Sequence, residues 1–152
     1  MIRIITTTIA LTLTTPALSQ ENIIPGVRLG QTEAEAQAVF QGRRSEIRGG
    51  KQGAALLLRN GDHVGVCNGR VFSISRKIGS DLHAFADTVL DQTNRFGDPA
   101  MTPRHIRTAD GEISTLGAEW ALSGGRVYIV SMLYSGSQMD VTESVSQLDG
   151  DC

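Results

Sequence analysis

The chain has 152 residues, with 14 Lys and Arg against 16 Asp and Glu, and a formal net charge of −2. This near-balance argues against a nucleic-acid partner, because binding to phosphates normally requires a clear basic excess on one face. Beyond the N-terminus no apolar run reaches the roughly 18 residues of a membrane-spanning helix, so we expect no membrane span.

Residues 1–19 have the features of a secretory signal peptide. Arg3 precedes an apolar, threonine-rich run, and Ala17-Leu18-Ser19 supplies the small residues of a cleavage site. No cysteine stands at the cleavage site to carry a lipid. We therefore predict a signal peptide at 1–19, a single domain at 20–152, and a periplasmic or secreted location.

The chain contains two cysteines, Cys67 and Cys152. In an oxidising compartment an even pair is most simply a disulfide, and closing so long a loop would contribute about 4 kcal/mol. Two free or intermolecular thiols are the alternative.

The segment "GVRLGQTEAEAQAVF" begins a helix. It does not fit a phosphate-binding loop, because the gap between its glycines is one residue short and Gln31 stands where a lysine is needed. Thr32 is a natural N-cap, and Glu35 completes a capping box with it. We expect Arg43 and Arg44 near the last turn of this helix, where the helix dipole favours cations.

A meander follows, marked by the turn pairs Asn60-Gly61 and Asn68-Gly69. They predict three antiparallel strands, at 54–59, 62–67 and 70–78. Two-residue turns would place Gly65 opposite Phe72 and Val66 opposite Val71. Both faces of this meander carry apolar residues, so the sequence leaves open which face is buried.

The second predicted helix has an apolar stripe, followed by a long connection. Its stripe consists of Leu82, Phe85, Ala86, Val89 and Phe96. Ser80 or Asp81 caps its start, and Gly97 and Pro99 end it. The prediction for 98–111, which contains two prolines, is an irregular loop. Arg104, His105 and Arg107 make it a candidate interaction loop for another envelope protein or an anionic envelope component.

The C-terminal third predicts strands again. "EISTLGAEWAL" and "RVYIVSMLYS" flank a glycine-containing turn, "MDVTESVS" is a final strand, and Trp120 is a predicted core anchor. The fold class is therefore α+β: an antiparallel sheet of about six strands in the order α-βββ-α-βββ, with two helices packed on one face. No internal repeat is visible in the sequence.

No catalytic or metal-binding motif stands out. A Gly-x-Ser-x-Gly elbow is absent, and His63, His83 and His105 are dispersed, so we predict no metal and no cofactor. His83, Asp87 and Asp91 share one face of the second helix, where they could orient a general base or bind a cation. An ordinary solvated helix face is the alternative.

The charged residues predict a dipolar surface. Basic residues gather in "RRSEIRGGK" and "PRHIR", while acidic residues gather near the C-terminus. The acidic group comprises Asp140, Glu143, Asp149 and Asp151.

Three short motifs carry a resemblance. Gly30-x-Thr32-x-x-Glu35 ahead of a helix, Phe96-Gly97-Asp98-Pro99 closing one, and Trp120 on a strand before a hairpin resemble the small bacterial envelope proteins of the SmpA/OmlA type. They are also similar to the domains of β-lactamase-inhibitor proteins. The chain differs by lacking a lipid-bearing cysteine and by inserting three strands between its helices.

The resemblance implies a non-enzymatic binding domain. The signal peptide, the predicted disulfide-linked compact fold and the absence of a catalytic motif favour an exported domain that binds another envelope protein or acts as an inhibitor. The first alternative is a small periplasmic hydrolase or lyase whose site is assembled from His83, Asp87 and His105. The second is an envelope-ligand binder that uses the 98–111 loop.

Overall fold

A computed structural model describes residues 23–47, 54–108 and 111–147 of the chain. Within these ranges the chain forms two helices, α1 (Glu33–Phe40) and α2 (Leu82–Phe96). The strands are β1 (Arg43–Glu46), β2 (Ala55–Arg59), β3 (Asp62–Cys67), β4 (Arg70–Gly79), β5 (Ala100–Thr108), β6 (Gly111–Leu122), β7 (Arg126–Ser135) and β8 (Gln138–Gln147).

All these strands belong to one antiparallel sheet in the order β1-β2-β3-β4-β8-β7-β6-β5. The order is mirrored about the contact between β4 and β8, and each half consists of one helix followed by four strands. The architecture therefore repeats within the chain, although no repeat is visible in the sequence.

The predicted sheet of about six strands in the order α-βββ-α-βββ is wrong. Each helix is followed by a strand that the sequence does not reveal. β1 and β5 are the two edge strands of the eight-stranded sheet. Native sheets protect their edge strands with charged residues and proline. The same residues are typical of loops, so an edge strand is easily predicted as a loop. Pro103 and Arg104 lie within β5, so the predicted irregular loop at 98–111 is mostly strand.

The two helices pack on the same face of the sheet, which we call the helix side. Side chains on one face of a sheet recur at cross-strand partners. One row of such partners crosses six strands and is buried throughout: Leu57, Val64, Ile74, Val145, Tyr128 and Trp120. Phe40 of α1 and Phe85 of α2 belong to the same buried cluster. The core therefore lies between the helices and this face.

Helix α1 begins as predicted and ends earlier than predicted. The Thr32 hydroxyl accepts a hydrogen bond from the Glu35 backbone N–H, and the Glu35 carboxylate accepts one from the Thr32 N–H, so the capping box is confirmed. Gln41 ends the helix in the left-handed region with φ 53°. Arg43 and Arg44 lie on β1, not in the last helical turn.

Helix α2 matches its predicted bounds but buries only part of its predicted stripe. Phe85 is buried, whereas Leu82 remains 58% exposed. Asp81 is the N-cap and its carboxylate accepts a hydrogen bond from the Ala84 N–H. At the other end the Trp120 indole N–H donates to the Gly97 carbonyl over 2.8 Å, which ties the C-terminus of α2 to β6 and confirms Trp120 as a core anchor.

The meander forms as predicted, apart from one irregularity. Val66 pairs with Val71, but a bulge shifts the next pair, so Gly65 lies opposite Ser73 and not opposite Phe72. The bulge lets the Phe72 ring lie over Gly65, where a Cβ atom would approach the ring to within 2.7 Å.

Some predictions fall partly or wholly outside the described residues. The signal peptide at 1–19 lies there, as does Cys152, so the pairing of that residue with Cys67 stays a prediction. Cys67 itself is buried at the end of β3. Neither of the helices in the described ranges is long and apolar enough to cross a membrane.

Candidate binding surface

The second face of the sheet, which we call the open face, is not covered by either described helix. One row of cross-strand partners on this face crosses all eight strands: Arg43, Leu58, His63, Ser75, Ser144, Ile129, Glu119 and Ala100. The adjacent row runs through Lys77, Thr142, Ser131, Gly117 and Thr102. The open face is therefore a continuous surface built from every strand.

Small hydroxyl-bearing side chains dominate the centre of the open face. Ser75 and Ser144 face each other across the β4–β8 contact, and Ser131 and Thr142 share a hydrogen bond of 2.9 Å. Leucine and isoleucine flank them on β2 and β7. Such a surface combines hydrogen-bonding groups with apolar contacts.

The arginines of the sheet differ in their partners, and on the helix side Arg59 and Arg126 contact the Phe40 ring and the Ser123 carbonyl. Three on the helix side form ion pairs: Arg44 with Glu33, Arg76 with Glu143, and Arg107 with Glu112. On the open face, Arg43 and Arg104 lie on the two edge strands, and both are exposed. Neither forms an ion pair with any residue that the structure describes.

The ion pair between Arg44 and Glu33 also changes the pKa of the Arg44 guanidinium. The hydrogen bond from its guanidinium to Glu33 raises the pKa of Arg44 above its ordinary value, and the charge of Glu33 adds to the effect. The ion pair joins β1 to α1.

The three residues of the predicted interaction loop do not act together, because they lie on a strand and alternate between its faces. Arg104 belongs to the open face, opposite Thr115. His105 and Arg107 lie on the same face as the helices, where His105 contacts the Ser114 hydroxyl at 3.0 Å. Of the predicted trio, only Arg104 contributes to the open face.

The residues of the hydrolase or lyase alternative are exposed and unconnected. His83 and Asp87 lie on the exposed surface of α2, as does Asp91, while His105 lies on β5. Across the described ranges no hydrogen bond or ion pair joins His105 to His83 or Asp87. The same ranges contain no group of three His, Cys, Asp or Glu side chains that could hold a metal ion.

One polar cluster was misassigned from the sequence. Glu143 was predicted to belong to an acidic surface, but it is 6% exposed on the helix side. Its carboxylate accepts hydrogen bonds from the buried Tyr128 hydroxyl and from the Arg76 guanidinium, whose Nε lies 2.9 Å away. The pattern Val141-x-Glu143-x-Val145 held the necessary signal, because it places the carboxylate in the apolar phase of its strand.

One pair of oppositely charged residues lies on the open face. The Lys77 ammonium forms an ion pair with Asp140 across the β4–β8 contact. These side chains are nearly half exposed, so their pair contributes little to stability.

Comparison of the chain with protein-family models, curated proteins and solved structures finds no match. The resemblance to SmpA/OmlA-type proteins and to β-lactamase-inhibitor-protein domains therefore stays a hypothesis.

Proposed function

We propose that this chain is an exported, non-catalytic domain that binds a protein partner in the cell envelope through the open face of its sheet. The observation that carries the proposal is the asymmetry of the sheet: the helices cover the helix side, whereas neither described helix covers the open face, where Arg43 and Arg104 stand at the two edges without an ion-pair partner among the described residues.

The dimensions of the open face suit a protein partner. Strands lie about 4.8 Å apart and rise about 3.3 Å per residue, so the eight strands present roughly 1,000 Å² in projection. A standard protein interface takes about 800 Å² from each partner. An open surface of this size gives a large contact area to another protein but encloses little of a small molecule.

The charges of the open face favour a partner with acidic groups near its rim. Arg43 and Arg104 stand on opposite edge strands, so a partner that spans the sheet can meet both. Exposed charges of this kind raise the association rate and set orientation more than they raise affinity. They are also screened by salt, so binding should weaken as ionic strength rises.

The test compares two arginine substitutions in residues 20–152, oxidised and immobilised. Ser144→Arg places a long charged side chain in the middle of the open face, and Asn94→Arg places the same side chain on the exposed surface of α2. Proteins captured from an envelope extract are quantified by mass spectrometry, and thermal unfolding checks that both variants fold.

We expect one envelope protein to be retained by Asn94→Arg, lost by Ser144→Arg, and captured less well as ionic strength is raised. Equal capture by both folded variants would place binding elsewhere, and hydrolase or lyase turnover by the purified chain would contradict the non-catalytic assignment.

A further inference from the structure

A groove of ≈ 260 Å³ lies on the open face between β5, β6 and β7. We call it the Gly117 groove after the residue in its centre. Thr102 and Ser131 stand on either side of Gly117 as its cross-strand partners, and Ile129 completes one wall. The groove therefore has a floor without a side chain and walls that offer both hydroxyls and an apolar surface.

The fold does not require a glycine at position 117. Its φ is not in the left-handed region, and the nearest atom to an added Cβ would be the Thr102 carbonyl oxygen at 3.8 Å, an ordinary contact. Gly65, on the same face, differs because a Cβ there would lie 2.2 Å from Ser73 Oγ. A glycine inside a strand lowers stability and often marks a place where another molecule approaches closely.

Charges of opposite sign stand at the two ends of the Gly117 groove. Thr115 and Arg104 mark one end and Glu119 the other. Thr115 and Glu119 are four positions apart on β6, a distance of about 13 Å along the strand. Neither Arg104 nor Glu119 forms an ion pair within the described ranges. The groove is thus bracketed by one cation and one anion, neither of which has a counter-charge among the described residues.

Resting on the function proposed above, we infer that the partner inserts one aromatic or branched apolar side chain into the Gly117 groove, between an acidic group that meets Arg104 and a basic group that meets Glu119. At ≈ 260 Å³ the groove falls below the usual size of small-molecule sites, about 300–1,000 Å³. A single buried side chain fits it better, and anchors of this type dominate the energy of protein interfaces.

The inference is tested with two capped tripeptides, Asp-Tyr-Lys and Asp-Gly-Lys, titrated at millimolar concentrations into the ¹⁵N-labelled, oxidised chain. The first carries the anchor between the two charges, and the second is a matched control without it. We expect saturable shifts at the amides of Gly117, Ser131 and Thr102 with the tyrosine peptide, and binding of the glycine peptide that is at least about tenfold weaker.

Two variants separate filling of the groove from loss of fold. Gly117→Leu fills the groove, and Gly117→Ala adds only a Cβ that has space. Gly117→Leu should lose the tyrosine-peptide response and the capture of the envelope protein, whereas Gly117→Ala should keep both and unfold at the same temperature as the parent chain or above it. Equal shifts with both peptides, or shifts centred outside the groove, would overturn the inference.

The outcome also separates this inference from the proposed function. If Ser144→Arg abolishes capture while Gly117→Leu leaves it unchanged, the open face binds the partner and the groove does not receive an anchor. If Ser144→Arg leaves capture unchanged, the proposed function fails, and the anchor inference fails with it.

Discussion

The buried carboxylate of Glu143 should couple energetically to Tyr128, and a double-mutant cycle can measure this. The Tyr128 hydroxyl is fully buried and donates to Glu143, whose side chain is 8% exposed, while Arg76 approaches from the surface with a side chain 44% exposed. The variants are Tyr128→Phe, Glu143→Met and the double substitution. Each removes a polar group with little change in side-chain length.

The magnitude follows from the surroundings of each group. A hydrogen bond to a charged acceptor is worth about 1.5–3 kcal/mol, so we expect Tyr128→Phe to cost about 2 kcal/mol. Glu143→Met should cost about 2–3 kcal/mol, because the tyrosine hydroxyl loses this acceptor in a buried position. Arg76 adds little, since its half-exposed guanidinium can be solvated by water when the carboxylate is gone. In the Glu143→Met background, Tyr128→Phe should be nearly neutral, which gives a coupling energy of about 2 kcal/mol.

Equilibrium unfolding in urea provides the measurement, with Trp120 fluorescence as the probe. Trp120 is buried and its ring centroid lies 5.9 Å from that of Tyr128, so its emission reports on the packing of this region. An unchanged m value in all variants confirms that the same unfolding reaction is compared. Additivity within about 0.5 kcal/mol would refute the argument, because independent sites add and hydrogen-bonded partners do not.

Three further outcomes are expected. The hydrogen bond from the Thr32 hydroxyl, and then that from the Thr32 backbone, lower the pKa of Glu35 below its ordinary value of 4.5. Relative to the Glu35→Gln variant, the stability contributed by the Glu35 carboxylate should thus be fully present above pH 4.5. It should be lost as the pH falls through the lowered pKa, as unfolding curves across that range would show. Gly65→Ala should lower the free energy of unfolding by about 1–3 kcal/mol in urea titrations, because its Cβ would collide with the neighbouring strand. Cys67 and Cys152 should appear in one disulfide-linked peptide in non-reduced mass spectrometry, and two separately alkylated thiols would contradict the pairing.

Much of the local structure could be predicted from the sequence, because it depends on contacts between residues a few positions apart. The capping box of Thr32 and Glu35 needs only one helical turn to form, and it forms as predicted. The Asn-Gly turns are of the same kind: Asn60 and Asn68 adopt φ of 53° and 51°, which such turns require. The bounds of α2 and of the hairpins could be predicted for the same reason, because caps and turns depend on contacts between residues a few positions apart.

The candidate surface could be predicted only in fragments. Arg104 was identified, but it was grouped with His105 and Arg107, which lie on the other face because successive strand residues alternate. Gly117 was available as a signal, since a glycine inside a predicted strand suggests a close approach. Its importance depends on the space around it, and that space is created by residues on two neighbouring strands.

The sequence by itself therefore determined the caps, the turns and the order of most elements, because these are set by backbone conformation over a few residues. Only the tertiary structure decided which segments close the sheet at its edges, which face the helices cover, and that Glu143 is buried. Each of these depends on partners far away in the chain: β4 meets β8 across more than sixty residues, and Arg76 reaches a carboxylate 67 positions away. A local pattern cannot encode such a pairing, since the free energy that selects it arises only when both segments are already in place.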